Sequence, residues 1–194
     1  ETLITEETEW NYEKQHSDYA LSKYGAEMEV WRGYQEGLDV VIVNPGVIFG
    51  YGFSNLGSDL FIQWVKKGIP FYTNGTIGIV GVKDVVTSMT TLMKSAISGE
   101  RFIVVGENCS YKILFDYIAT LLETKSPSIN ASKTFTAIAW RIDWFWSTIT
   151  NSKRKLTKAT AASSHANDYF STEKIESVLK ITFQKKETFL KEVI

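Results

Sequence analysis

The chain has 194 residues, 44% of them hydrophobic, with 21 basic and 22 acidic side chains and a net charge of −1. A nucleic-acid binder carries a basic excess, so no nucleic-acid partner is expected. No run approaches the roughly 18 apolar residues of a membrane span, so no integral membrane segment is expected either. The single cysteine, Cys109, cannot form an internal disulfide and reads as a small buried apolar side chain, in keeping with a cytoplasmic protein.

Residues 1–16 read as polar loop. They begin without Met and have no apolar core, so they are not a signal peptide and read as the interior of a longer protein. Ser17 and Asp18 offer capping oxygens for a helix from Tyr19 to about Glu36. Its apolar stripe is Ala20, Tyr24, Met28 and Trp31, with Glu27, Glu29 and Arg32 off it. Gly37 stops the helix. Val40–Val43 is a β-branched run suited to a strand buried on both faces, and Asn44-Pro45-Gly46 should end it because proline cannot donate to a central ladder. A helix is expected over 58–67, a strand over 77–82, and a helix capped by Asp84 running to about Ser98. A strand over 101–105 and a helix over 111–123 repeat the pattern. Helices over 137–149 and 172–179 and a short one near Glu187 complete the chain. Strand–helix alternation of this kind argues an α/β protein.

Tyr19-Ala20-Leu21-Ser22-Lys23 places a phenol and an ammonium one helical turn apart. Chance supplies about 0.8 such Tyr-x-x-x-Lys pairs in a chain with 9 tyrosines and 17 lysines, so the pentapeptide alone proves nothing. An ordinary amphipathic pair with a buried tyrosine is the stronger reading at that point. The chemistry is nevertheless apt. A free tyrosine titrates near about 10, and a neighbouring cation favours its phenolate, which tunes the phenol for proton transfer at a carbonyl or alcohol oxygen.

The order of motifs changes the balance. YALSKYGAE, then VVIVNPGVIFG, then Val82-Lys83-Asp84-Val85, then GERFIVVGENCSYKILFDYIATLL together resemble the extended short-chain dehydrogenases/reductases, the family of NAD(P)-dependent epimerases, dehydratases and reductases. The likeness runs in the correct order along nearly the whole chain. It implies the C-terminal part of a Rossmann-type doubly wound parallel sheet plus a smaller α/β substrate-binding domain. The expected division is a dinucleotide-domain remnant over 1–52 and a mainly substrate-binding part over 53–194. The resemblance makes Tyr19 the general acid/base and gives Lys23 the nicotinamide ribose. Pro45, Gly46, Val47 and Ile48 would lie against the ring of NAD or NADP. It also implies a small-molecule substrate and a homo-oligomer, of dimeric kind.

Two family elements are not found. All 13 glycines lie at or after Gly25, and none forms the Gly-rich fingerprint that seats a pyrophosphate at a helix N-terminus. Thr2, Thr5, Thr8 and Ser17 are available as the catalytic hydroxyl, but none follows a strand-like run. The expectation is therefore a parent of roughly 300 residues, and a chain that alone neither binds dinucleotide tightly nor turns over substrate. Such a chain should associate with another or be partly disordered near its N-terminus. Val-Asn-Pro-Gly at the strand end resembles the branch that reduces apolar ketones and aldehydes. A nucleotide-sugar epimerase or dehydratase and a catalytically inactive binding module remain alternatives. Phe49, Tyr51, Phe53, Phe61 and Trp64 either line an apolar pocket or form core. Trp140, Trp144, Phe145 and Trp146, followed by Lys153-Arg154-Lys155, suit a membrane-surface helix, a lid, or packing on the smaller domain. His16 and His165 have no partners at ligand spacing, so no metal is expected.

Overall fold

Ser17, Ser110, Ser132 and Thr157 each open a helix by accepting a backbone N–H three residues on, which satisfies a donor the helix itself leaves unpaired. The structure, a computed structural model, describes residues 2–13, 16–52, 57–152, 154 and 156–194. In chain order the elements are β1 (Thr2–Ile4), α1 (Asp18–Gln35), β2 (Val41–Pro45), β3 (Val47–Phe49), α2 (Asp59–Lys66), β4 (Phe71–Tyr72), β5 (Thr76–Gly81) and α3 (Val82–Met93). There follow β6 (Glu100–Val104), β7 (Glu107–Ser110), α4 (Tyr111–Leu121), β8 (Ile129–Asn130), α5 (Lys133–Thr150), α6 (Lys158–Ser163), β9 (Asp168–Phe170), α7 (Glu173–Leu179) and α8 (Lys186–Val193).

Parallel pairing dominates: β2 with β6, β3 with β5, β1 with β9 and β4 with β8, while β5 and β7 are antiparallel. One core cluster holds Phe49, Ile79, Leu114, Ile118 and Leu190, joining β3 and β5 to α4 and α8. A second holds Val80, Leu92, Phe102, Val104 and Ile175, joining β5 and β6 to α3 and α7. Burying each such side chain stabilises the fold by about 1.5–3 kcal/mol.

Several expectations are corrected here. Residues 2–4 are strand rather than loop, because β9, unread in the sequence, provides their ladder. Strand β2 runs through Pro45, which is in register with Val104. The next residue, Gly46, donates its N–H to the Val104 carbonyl at 3.0 Å. Alternate residues face alternate edges, so Gly46 faces β6 and the absent N–H of Pro45 falls on the far edge, where proline is tolerated. Val41–Val43 are only partly buried, since β6 flanks β2 on one edge and no described strand flanks the other. Gly46 divides β2 from β3. A Cβ there would sit 2.5 Å from the Gly78 carbonyl oxygen of β5, so only glycine allows this link to approach β5 so closely.

Asp84 does not cap α3. Gly81 occupies the cap position, α3 ends at Met93, and Asp84 Oδ2 instead accepts the Gln184 N–H at 2.9 Å. Burial pushes the Asp84 carboxyl above the usual aspartate range, with the Gln184 bond pulling the other way. An acid raised in the folded state favours folding while protonated, and that contribution disappears as pH rises through the elevated value. Asp84→Asn keeps an acceptor for Gln184 and cannot ionise. It is expected to raise stability at pH 7, an advantage that shrinks toward about pH 3. Thermal melts of both proteins at the two pH values check this, and a lower midpoint for the variant at pH 7 contradicts it.

Candidate functional site

Helix α1 carries the Tyr19–Lys23 pair, and none of its residues is fully buried. Tyr19 is 75% exposed and Lys23 is exposed as well. Neither side chain is hydrogen-bonded or ion-paired to another described residue, so the tyrosine is not the buried half of an amphipathic pair. Positions 19, 23 and 27 follow one another at successive turns of one helix face. The third of them, Glu27, ties α1 to the sheet.

Glu27 is the residue that the sequence reading misplaced. Its side chain is only 14% exposed. Asn44 Nδ2 donates to Glu27 Oε2 at 2.9 Å, and Glu27 Oε1 takes both the Trp31 indole N–H and the Arg101 guanidinium at 3.3 Å. The inward line of α1 is therefore Ala20, Tyr24, Glu27 and Trp31, while Met28 stands at 37% exposure. Along the helix axis Lys23 lies about 6 Å and Tyr19 about 12 Å from Glu27, at 1.5 Å per residue.

Arg101 extends the tie. Its guanidinium donates to the Glu6 and Thr8 carbonyl oxygens, and the buried Glu6 carboxylate accepts the Ile103 N–H at 2.8 Å. The segment entering α1 is thus fastened to β6, beside the end of β2. Asn44 Oδ1 is buried there with no hydrogen-bond partner. Of the four turn positions, Pro45 and Ile48 are exposed, whereas Gly46 is half-buried and Val47 packs on the core.

Aromatic rings support the start of α1. Trp10 stacks on His16 at 3.8 Å and on Tyr24 at 4.3 Å, and the Tyr12 and Tyr24 hydroxyls share a hydrogen bond of 2.8 Å. That bond holds the Tyr24 phenol above its ordinary value. Tyr24 is thus engaged, while Tyr19, five residues earlier, is free. Ser17 accepts the Ala20 N–H as the cap of α1.

The other candidates fall elsewhere. Phe49 is fully buried core and Phe61 packs beside it, while Tyr51 and Trp64 are exposed and Phe53 lies outside the described residues. Burial pushes the Cys109 thiol up to about 12, which makes it inert as a nucleophile. His165 bonds to Thr136 at 2.9 Å on the wall of a cavity between α5 and α6. That cavity does not adjoin Tyr19 or Lys23.

This arrangement can be set beside known proteins. A Synechocystis protein named for dihydroflavonol 4-reductase is 28% identical over 121 residues, covering 59% of this chain and 35% of its own. Tetraketide alpha-pyrone reductase 2 of Arabidopsis thaliana is 32% identical over 115 residues, covering 57% and 34%. Sterol demethylase protein B of Methylococcus capsulatus is 29% identical over 115 residues, covering 58% and 35%. Among solved structures, gox2253 superposes with a TM-score of 0.81 at 22% identity, over 99% of this chain and 59% of its own. These likenesses support the extended short-chain dehydrogenase/reductase family, with the chain corresponding to a C-terminal portion.

Other solved proteins share the fold. A nucleoside-diphosphate-sugar epimerase from Pseudomonas aeruginosa gives a TM-score of 0.72 at 20% identity, over 92% of this chain and 54% of its own. The dTDP-glucose 4,6-dehydratase of Bacillus anthracis, solved with NAD, gives 0.68 at 16% identity, over 100% and 55%. No family model matches the chain. The chain spans about a third of the curated relatives and little more than half of these solved chains.

Proposed function

We propose that the chain is the C-terminal part of an NAD(P)-dependent oxidoreductase that reduces a carbonyl, or oxidises an alcohol, on a small apolar molecule. The observation that carries this reading is the unengaged Tyr19–Lys23 pair, set on a helix that Glu27 fastens to Asn44 at the strand end. Residues 1–52 would then belong to the dinucleotide domain and 53–194 mainly to the substrate domain. Reductases among the curated relatives support this choice over an epimerase.

The residues present fit a nicotinamide cofactor. A free phenol and ammonium supply the donors such a group requires, and the orphaned Asn44 Oδ1 is a buried acceptor at the strand end with nothing in the described chain to satisfy it. Lys23 and the turn Pro45–Ile48 would hold the cofactor, which supplies or accepts hydride when bound. Tyr19 gives its phenolic proton to the carbonyl oxygen during reduction and takes a proton from the alcohol during oxidation. Lys23, one helical turn further along, would bring its ammonium to the cofactor beside that phenol. Asn44, held by Glu27, orders the turn beside them.

A Gly-rich pyrophosphate cradle is not in this sequence, so on this reading dinucleotide binding would rest on an upstream segment supplying the length of the curated relatives that this chain does not span. The test is direct. Joined to that upstream sequence, the chain should oxidise NADH or NADPH against at least one apolar ketone or aldehyde, while the 194-residue chain alone shows neither saturable cofactor binding nor turnover. Tight binding of NADH by the isolated chain, followed by fluorescence, would overturn the assignment.

A further inference from the structure

Helix α5 is inverted relative to an ordinary surface helix. Its fully buried residues are Thr136 and Ser147, both polar. Its exposed residues include Phe135, Ile138, Ile142, Phe145 and Ile149, at 46%, 55%, 61%, 59% and 64% exposure. These follow one another in alternating steps of three and four, which keeps them on one face over the whole helix. Trp146, 65% exposed, widens the stripe, and Trp144, 52% exposed, lies on another side of the helix. A surface helix normally turns such a stripe toward the core. Phe135, at the start of the helix, packs on Phe71 with ring centroids 5.0 Å apart and Trp140 is half-buried, whereas Trp144, Phe145 and Trp146 are exposed.

Charge identifies what covers this face. Between positions 133 and 158 the sequence holds six of the 21 basic residues but one of the 22 acidic ones. The acid, Asp143, is half-buried and accepts the Leu156 N–H at 3.1 Å. Lys133, Arg141, Arg154 and Lys158 are all exposed. A second copy of the same face would bring cation against cation around the apolar stripe, which argues against pairing of two α5 helices. An anionic surface removes that repulsion. Tryptophan and phenylalanine on an apolar face flanked by basic residues match the boundary between acyl chains and headgroups. No described helix is long and apolar enough to cross a membrane, so the contact is with the surface.

We propose that α5 lies in the plane of a bilayer surface rich in anionic lipid, with Ile138, Ile142, Phe145, Trp146 and Ile149 in its outer acyl layer. Lys133, Arg141, Arg154 and Lys158 meet the headgroups. This inference is independent of the carbonyl-reductase reading and stands or falls without any assay of turnover.

The experiment is co-sedimentation of the purified protein with vesicles of phosphatidylcholine alone and of phosphatidylcholine with phosphatidylserine. Tryptophan emission is followed in parallel with brominated lipids as quenchers. Binding is expected to the anionic vesicles, to fall as salt is raised, and to be accompanied by quenching. The double variant Ile142→Asp/Phe145→Asp is expected to bind at least about tenfold more weakly. Both positions are exposed, and an unchanged circular dichroism spectrum verifies that the variant is folded. Arg141→Gln/Lys158→Gln leaves the stripe intact and should weaken anionic binding alone. Failure to sediment with either vesicle overturns the proposal, and equal binding to neutral vesicles overturns its anionic part. A protein that ignores vesicles but forms a dimer dissociated by Ile142→Asp/Phe145→Asp shows that a second copy covers the face instead.

Discussion

Tyr19→Phe, in the chain joined to its upstream sequence, is expected to lower kcat by about 10²–10⁴-fold while leaving the Kd for NADH or NADPH within a few-fold of the parent. The substitution removes one hydroxyl from a side chain that is already largely exposed and makes no hydrogen bond to described residues. Little stability is therefore at stake, and a loss of rate cannot be blamed on unfolding. The expected signature is a fall in kcat and kcat/KM together, because the lost proton transfer is made only in the transition state. Tyr24→Phe is the informative control. Tyr24 is stacked on Trp10 and bonded to Tyr12, so its removal disturbs the ring cluster without deleting an acid or base. Should Tyr19→Phe turn over at near-normal rate, the assignment of Tyr19 is wrong. If Tyr24→Phe alone were inactive, the phenol that matters would be the engaged one.

Lys23 can be separated from Tyr19 in the same assay. On the proposed reading Lys23 holds the cofactor, so Lys23→Met should weaken the Kd for NADH or NADPH as well as lower the rate, whereas Tyr19→Phe lowers the rate alone. A lysine with no role at the site would leave both unchanged.

Much of the scaffold is legible in the residues because local rules and tertiary packing agree there. Ser17, the following helix, Gly37 with its positive φ, and the β-branched run after it all specify what is found. The short strands are less legible. Thr2–Ile4 and Asp168–Phe170 pair with each other across most of the chain, and neither has the length or alternation to announce itself. The limits of β2 depended on which edge Pro45 presents, which is a property of the sheet and not of the residue. Likewise the spacing of 19, 23 and 27 is visible on a helical wheel, but nothing local reveals that Glu27 meets Arg101, 74 positions away. A glutamate on the inward line reads as a break in the apolar stripe until its donors are known.

Those donors make Glu27 a sensitive position for stability. Glu27→Leu keeps bulk and helix propensity but strips three donors of their acceptor at once: Asn44 Nδ2, the Trp31 indole N–H and one arm of Arg101. Arg101 retains the Glu6 and Thr8 carbonyls, so its charge is not left wholly uncompensated. Its side chain is also 33% exposed, which lets water recover part of the loss. Removing one partner of a fully buried pair costs about 3–5 kcal/mol, and an unsatisfied buried donor about 1–3 kcal/mol. With that partial compensation the expected loss is about 3 kcal/mol, read as a lower urea midpoint at unchanged slope. Glu27→Gln keeps an acceptor oxygen for Asn44 or Arg101 and should lose about 1 kcal/mol. A Leu variant as stable as the parent would mean that α1 is held by its rings and its neighbours alone. The turn after β2 would then owe nothing to the helix that carries Tyr19 and Lys23, and the physical link between the pair and the strand end would have to be sought in another contact.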